Sequence, residues 1–134
     1  MRTARRLLPA LILALLAGCA AVPDVGRPGY VHHVVLVWLR RPGDPDDRRA
    51  LIEASHRLRA IPGVVEVTTG TPVPSEREVV DDSFDLAVTL VFTDAEALRA
   101  YQRHPLHERL RREVLVPRVR RVLIYDYQVE KPRL

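Results

Sequence analysis

Nothing restricts the fold of this chain more than the stretch Val31–Leu39, VHHVVLVWL. It is β-branched and apolar at positions of both parities, so it reads as a strand with neither face given to water. Any sheet built on it needs a cover on both sides. The residues that follow supply one cover. Asp44 is a good helix N-cap, Pro45 suits the first helical position, and Asp46 and Asp47 favour the positive end of the helix dipole. Leu51, Ser55, Leu58 and Ile61 then recur at helical spacing until Pro62-Gly63 stops the helix.

A second strand is expected over Val64–Thr71, followed by a polar, proline-containing loop, PVPSEREVVDDS. The next strand, Phe84–Phe92, puts Phe84, Leu86, Val88, Leu90 and Phe92 on one face. Thr93 and Glu96 have capping-box spacing, so a second helix starts directly after Phe92, with Ala97, Leu98 and Tyr101 on its apolar side. Pro105 biases His104 away from helical geometry and suits the start of a further helix running to about Val114. Pro117 separates that helix from the last strand, Arg120–Val129.

The order β-α-β-β-α-(α)-β predicts an α+β, ferredoxin-like protomer, a four-stranded antiparallel sheet with helices on one face. The other face is left for a second copy. A homodimer closing two sheets into a barrel-like core, a dimeric α/β barrel, is the expectation.

The two ends read differently from this domain. Residues 1–18 open with Arg2, Arg5 and Arg6, continue with an apolar run from Leu7, and close on small residues, the layout of a secretory signal. The run is too short to span a bilayer, which takes roughly 20 apolar residues. Leu16-Ala17-Gly18-Cys19 resembles a bacterial lipobox, which implies cleavage before Cys19 and lipid on that cysteine. The acyl chains would hold the protein to a membrane. Ala20 after the cysteine resembles the pattern sorted to the outer membrane, facing the periplasm. Residues 19–30 then form the lipidated cysteine and a tether, 31–129 the domain, and 130–134 a tail. Cleavage removes three arginines and no carboxylate, taking the formal charge from +4 to +1. A charge so small gives no reason to expect nucleic acid as a partner.

The chemistry-bearing stretch is Tyr101–Leu110, YQRHPLHERL. His104 and His107 have a spacing used by zinc sites, with His32, His33 and His56 as possible third ligands, but Pro105 breaks the helix that would align them. No metal is expected. An acid–base pair suits the residues better, with neutral His107 as base and Tyr101 as donor to a developing oxyanion. His33 alternates with Val35, Val37 and Leu39, and Asp126 shares a face with Val122 and Ile124. If both faces are the helix-covered one, Asp126 stands ready to orient His33 or His107, and Val35, Val37, Val122 and Ile124 line a small apolar pocket. The bland alternative is that Tyr101 and His107 are ordinary core residues with satisfied polar atoms. Glu108 and Arg112 have i,i+4 spacing, so the arginines of ERLRREVLVPRVRR read as a solvated, salt-bridged face.

HHVVLVWL, IPGVVEVTTG, FDLAVTLVF with AEALRAYQRHPLHERL, and the terminal VLIYDYQV together resemble the stress-responsive α/β-barrel (Dabb) domain, over about Val31–Val129. The most specific piece is Tyr-x-x-His-Pro-x-His followed by a strand ending in Asp-Tyr. The resemblance implies the ferredoxin-like protomer and the dimeric barrel. In one branch, the plant polyketide cyclases of the olivetolic acid cyclase type, it implies an intramolecular aldol condensation without metal or organic cofactor. Carried over by position, the acting tyrosine is Tyr101 and the acting histidine His107, with His33 and Asp126 in support. The first-helix pocket aromatics of that branch are replaced here by Arg49, Ala50 and small or polar neighbours. Two expectations follow, a membrane-anchored protein that binds a small apolar or carbonyl-containing ligand, or a cofactor-independent aldol enzyme.

Overall fold

The computed structural model describes residues 21–132. Strand β1 (Val31–Leu39) leads through a short turn to helix α1 (Pro45–Arg57), and β2 (Val64–Gly70) and β3 (Leu86–Phe92) follow. Helix α2 (Ala95–Gln102) and helix α3 (Pro105–Leu110) come next, and β4 (Val119–Gln128) closes the sheet. The strand order is β2-β3-β1-β4 with every neighbour antiparallel, the ferredoxin-like arrangement.

Register decides which side chains share a face. Val31, His33, Val35 and Val37 of β1 lie opposite Phe92, Leu90, Val88 and Leu86 of β3. On the other edge of β1, His33, Val35 and Val37 meet Asp126, Ile124 and Val122 of β4. This is the helix-covered face. Val37, Leu86, Leu90 and Phe92 are buried there against Leu51 and Leu58 from the first helical segment and against Leu98 and Leu110.

Helix α1 starts as its sequence predicts. The Asp44 carboxylate accepts from the backbone N–H of Asp46 and Asp47, and Pro45 occupies the first turn. Asp47 is buried and paired with Arg41 at 2.9 Å and with Arg118 at 3.4 Å, which ties the helix to the entry of β4. At the far end a tight turn over Leu58–Ala60 leads to Gly63, whose φ of +86° suits glycine. A Cβ at Gly63 would also stand 2.6 Å from the Ala97 Cβ, so α2 approaches closely there.

Four expectations need correcting. Phe84 is not the first residue of β3, because it sits in the preceding bend and packs edge-on against Trp38. Trp38 belongs to the opposite face of the sheet. The reason is Asp85, a buried carboxylate that accepts from the N–H of Leu39 and of Gly43 and so pins the bend. The cap of α2 is Asp94, which accepts from the Ala97 N–H, and not Thr93. Helical structure does not end at Val114. It widens into a π turn over Arg111–Leu115 and finishes with one α turn, Val116–Arg118, so β4 begins at Val119. Pro117 has no N–H to give to an i−4 carbonyl, and the turn preceding it opens to i−5, with the Val116 N–H on the Arg111 carbonyl. Lastly, Glu108 pairs with Arg111 at 3.0 Å and not with Arg112.

Among the described residues, the second face is covered only at its ends. Trp38 is buried under Phe84, gives its indole N–H to the Ser83 hydroxyl at 3.0 Å, and lies 4.2 Å beneath the Arg121 guanidinium. At the opposite end His32 stacks on Tyr127 and donates from Nε2 to the Val25 carbonyl at 2.8 Å. Between them Val34, Leu36, Ala87, Thr89 and Leu123 are half-buried and Tyr125 is exposed.

Candidate functional site

The break between α2 and α3 builds the site. Helix α2 ends at Gln102, and His104 becomes the N-cap of α3 with its Nδ1 accepting from the Leu106 N–H at 3.2 Å. Pro105, which has no N–H to satisfy, takes the first helical position. The junction turns His107 back over Tyr101, with the two ring centroids 4.4 Å apart. His104 is therefore a helix-junction residue, and its Nδ1 is already occupied.

Tyr101 also meets the sheet. The His33 ring lies 5.9 Å from the Tyr101 ring in an edge-on arrangement, and Phe92 is 5.0 Å from Tyr101 and 6.3 Å from His33. His33 is buried, and its Nδ1 is 2.6 Å from Asp126 Oδ1 across the β1–β4 pairing. A carboxylate accepts, so His33 Nδ1 carries a proton, and in the neutral ring Nε2 is then the nitrogen with the lone pair. His107 follows the same logic with a different partner. Its Nδ1 is 3.3 Å from the Gln102 carbonyl, which also only accepts, so its Nε2 is the unprotonated nitrogen. Asp126 thus orients His33, while the broken end of α2 orients His107.

Burial sets the charge states. It holds the His107 imidazole below its ordinary value, helped by the nearby His33 and Arg111 and opposed by the Gln102 carbonyl and Glu108. It pushes the Tyr101 phenol well up, so this group stays protonated. Among the described residues no protein group holds the Tyr101 hydroxyl or either Nε2 by a hydrogen bond.

These three rings line one end of a cavity of about 340 Å³ between the sheet and the helices. Its walls include Val35, Val37, Val122 and Ile124 from the sheet and Leu51, Ala54, Ser55 and Leu58 from the first helical segment. Arg49 and Ala50 do not line it; Arg49 is exposed and pairs with Asp46. The Ser55 hydroxyl is turned back onto the Leu51 carbonyl at 2.7 Å, which leaves that wall effectively apolar. A neutral base, a protonated phenol and an apolar chamber can bind an oxygen-bearing molecule and move a proton beside a carbonyl.

Other candidates lie elsewhere. His32 is on the opposite face, and His56 is exposed beside Thr69. Cys19 falls outside the described residues. Among the described residues no group of three or more His, Cys, Asp or Glu stands close enough to hold a metal ion. Sequence reasoning missed two contributors. Arg111 borders the cavity, and the signal was its i,i+4 spacing from His107. The Gln102 carbonyl is a backbone group exposed by a helix end and leaves no mark in composition.

A family model described as the stress-responsive A/B barrel domain, Dabb, matches residues 31–129. No curated protein matches the chain in sequence. Solved structures do. A Dabb-family protein with a ferredoxin-like fold from Mesorhizobium loti is 26% identical over 74% of this chain and 95% of its own, with a TM-score of 0.62. A dimeric ferredoxin-like protein of unknown function from Jannaschia sp. is 27% identical over 75% of this chain and 100% of its own, with a TM-score of 0.59. Hydroxynitrile lyase from Passiflora edulis has a TM-score of 0.68 over 81% of this chain and 100% of its own, but at 18% identity it shares the fold alone.

Proposed function

The chain belongs to the stress-responsive A/B barrel domain (Dabb) family, and from that premise we propose that it binds a small, mainly apolar ligand carrying a carbonyl or similar oxygen. The observation that carries this is the cavity, apolar along its walls with Tyr101, His107 and His33 gathered at one end. Such asymmetry is what orients a ligand. Its volume is about twice that of the ~150 Å³ apolar cavity known to take benzene. Methyl hexyl ketone is a suitable probe, followed by NMR of isotope-labelled histidine side chains. The His33 and His107 signals are expected to move on titration while exposed His56 stays still. A titration in which neither cavity histidine responds overturns the reading.

A second reading is favoured by one observation, a protonated phenol packed against two histidine rings whose Nε2 atoms no described protein group holds. In it the chain is a cofactor-independent enzyme of aldol type. His107 Nε2 takes a proton from the carbon next to a bound carbonyl, and the Tyr101 hydroxyl donates to the enolate oxygen as charge builds there. His33, held by Asp126, supports the Tyr101 end. The half-reaction is directly measurable as exchange of the ketone's α-hydrogens in deuterated water. Exchange above the buffer rate, lost in His107→Gln, supports catalysis, and exchange at the buffer rate removes it.

The reading extends to placement and assembly. Lipid on Cys19 would attach the domain to a bacterial envelope membrane, the outer one facing the periplasm, with residues 20–30 as spacer. The support is the lipobox-like sequence. A homodimer would bring a second sheet onto the half-open face. The support is that face and the dimeric state of structurally similar proteins. A role in stress response rests on the family description.

A further inference from the structure

We infer that the cavity selects anionic ligands, and specifically amphipathic carboxylates, through Arg111 at its border. The inference rests on the ligand-binding reading above and adds the chemical class of the ligand.

Among the described residues that line the cavity, Arg111 is the one permanent cation, and none is an aspartate or glutamate. The Nδ1 protons of both histidines there are held by Asp126 and by the Gln102 carbonyl. Among the lining groups this guanidinium is the one that attracts an anion, and Glu108, which does not line the cavity, shares it. Arg111 stands one helical turn after His107 on a backbone that stays helical through that position, so the two side chains share a face. The guanidinium is near enough to His107 to bear on its protonation.

The guanidinium is also only partly used. One of its terminal nitrogens donates to Glu108 Oε2 at 3.0 Å, and the side chain is about half exposed. Arginine has five N–H donors in a planar fork, and a carboxylate can take two at once. The guanidinium supplies the charged donors at this border, and those not taken by Glu108 suit an acceptor-only head group. A single guanidinium already shared with Glu108 matches a monoanion better than a phosphate dianion. The apolar body of the ligand would then lie against the leucine and valine walls.

The test compares three probes of matched chain, octanoate, octanol and methyl hexyl ketone, titrated calorimetrically into the full chain and into variants at low salt. Wild type is expected to bind octanoate about tenfold more tightly than octanol, the worth of one charge-assisted contact. Arg111→Met should erase that preference and leave methyl hexyl ketone binding within about twofold, which also shows that the cavity is still folded. Glu108→Gln should strengthen octanoate, because it removes the competing carboxylate. If wild type binds octanoate no better than octanol, or Arg111→Met keeps the preference, the carboxylate inference is overturned while ketone binding leaves the pocket reading standing. If none of the three probes binds, both readings fall together.

Discussion

His107 and Asp126 show how much of this site depends on single contacts. Burial favours the neutral form of His107, so the folded chain binds that proton more weakly than the unfolded chain does. Above the ordinary imidazole value both states are neutral and the ring contributes nothing. As pH falls below about 6.5, the unfolded chain takes up a proton that the folded chain resists, and stability is lost until the folded ring also protonates. His107→Gln should therefore flatten the acid-side fall of the urea midpoint, and an unchanged profile would place the acid sensitivity elsewhere. Asp126 acts through His33. Asp126→Ala would leave the Nδ1–H of a histidine that is 6% exposed without an acceptor, at a cost of about 1–3 kcal/mol in denaturant unfolding. Asp126→Asn keeps an acceptor oxygen and should lose less.

At the level of elements, glycine and proline fix where helices meet the sheet. Gly63 combines a positive φ with a 2.6 Å approach to the Ala97 Cβ, so Gly63→Ala should destabilise by more than about 1 kcal/mol, read as a lowered urea midpoint. Pro62-Gly63 as a helix stop, Asp44 as a cap and Pro105 as a helix start were all legible, because each residue type has one cheap use at such a position. Strand β1 was legible from its unbroken β-branched, apolar run and β3 from alternation. What escaped sequence reasoning was settled at longer range. Phe84 continues the alternation of β3 perfectly, yet Asp85 draws its carboxylate to Leu39 and Gly43 and rotates Phe84 to the other face. Thr93 and Asp94 are both good caps, and local chemistry does not choose between neighbours. The π turn before Pro117 answers a missing N–H, but proline signals interruption without saying whether the helix ends or only widens. In the site, parity placed His33 with Val35 and Asp126 with Ile124, while the face they occupy depended on which side the helices cross.

For the whole molecule, the half-open face and the N-terminal segment carry the remaining expectations. Leu36 lies between Ala87 and Leu123 at the middle of that face. Leu36→Arg should convert a dimer to a monomer in sedimentation velocity while leaving the far-UV spectrum intact; a variant that stays dimeric would move the interface elsewhere. Cys19→Ser should release the protein from the membrane fraction of its host, and unchanged fractionation would count against lipid attachment at that residue. One feature of β1 has wider reach. His33 points into the cavity and His32, its neighbour, points out onto the opposite face, and the same alternation runs through Val34 to Val37. Point substitutions at even-numbered and odd-numbered positions of this strand therefore act on different surfaces, and the two can diverge independently. Gain or loss of a single codon within it is another matter. The register shift of one residue would exchange the two sets, turning His33 away from Asp126 and presenting the outer side chains to the cavity. Lineages of this protein should accept many replacements along β1 and almost no change in its length.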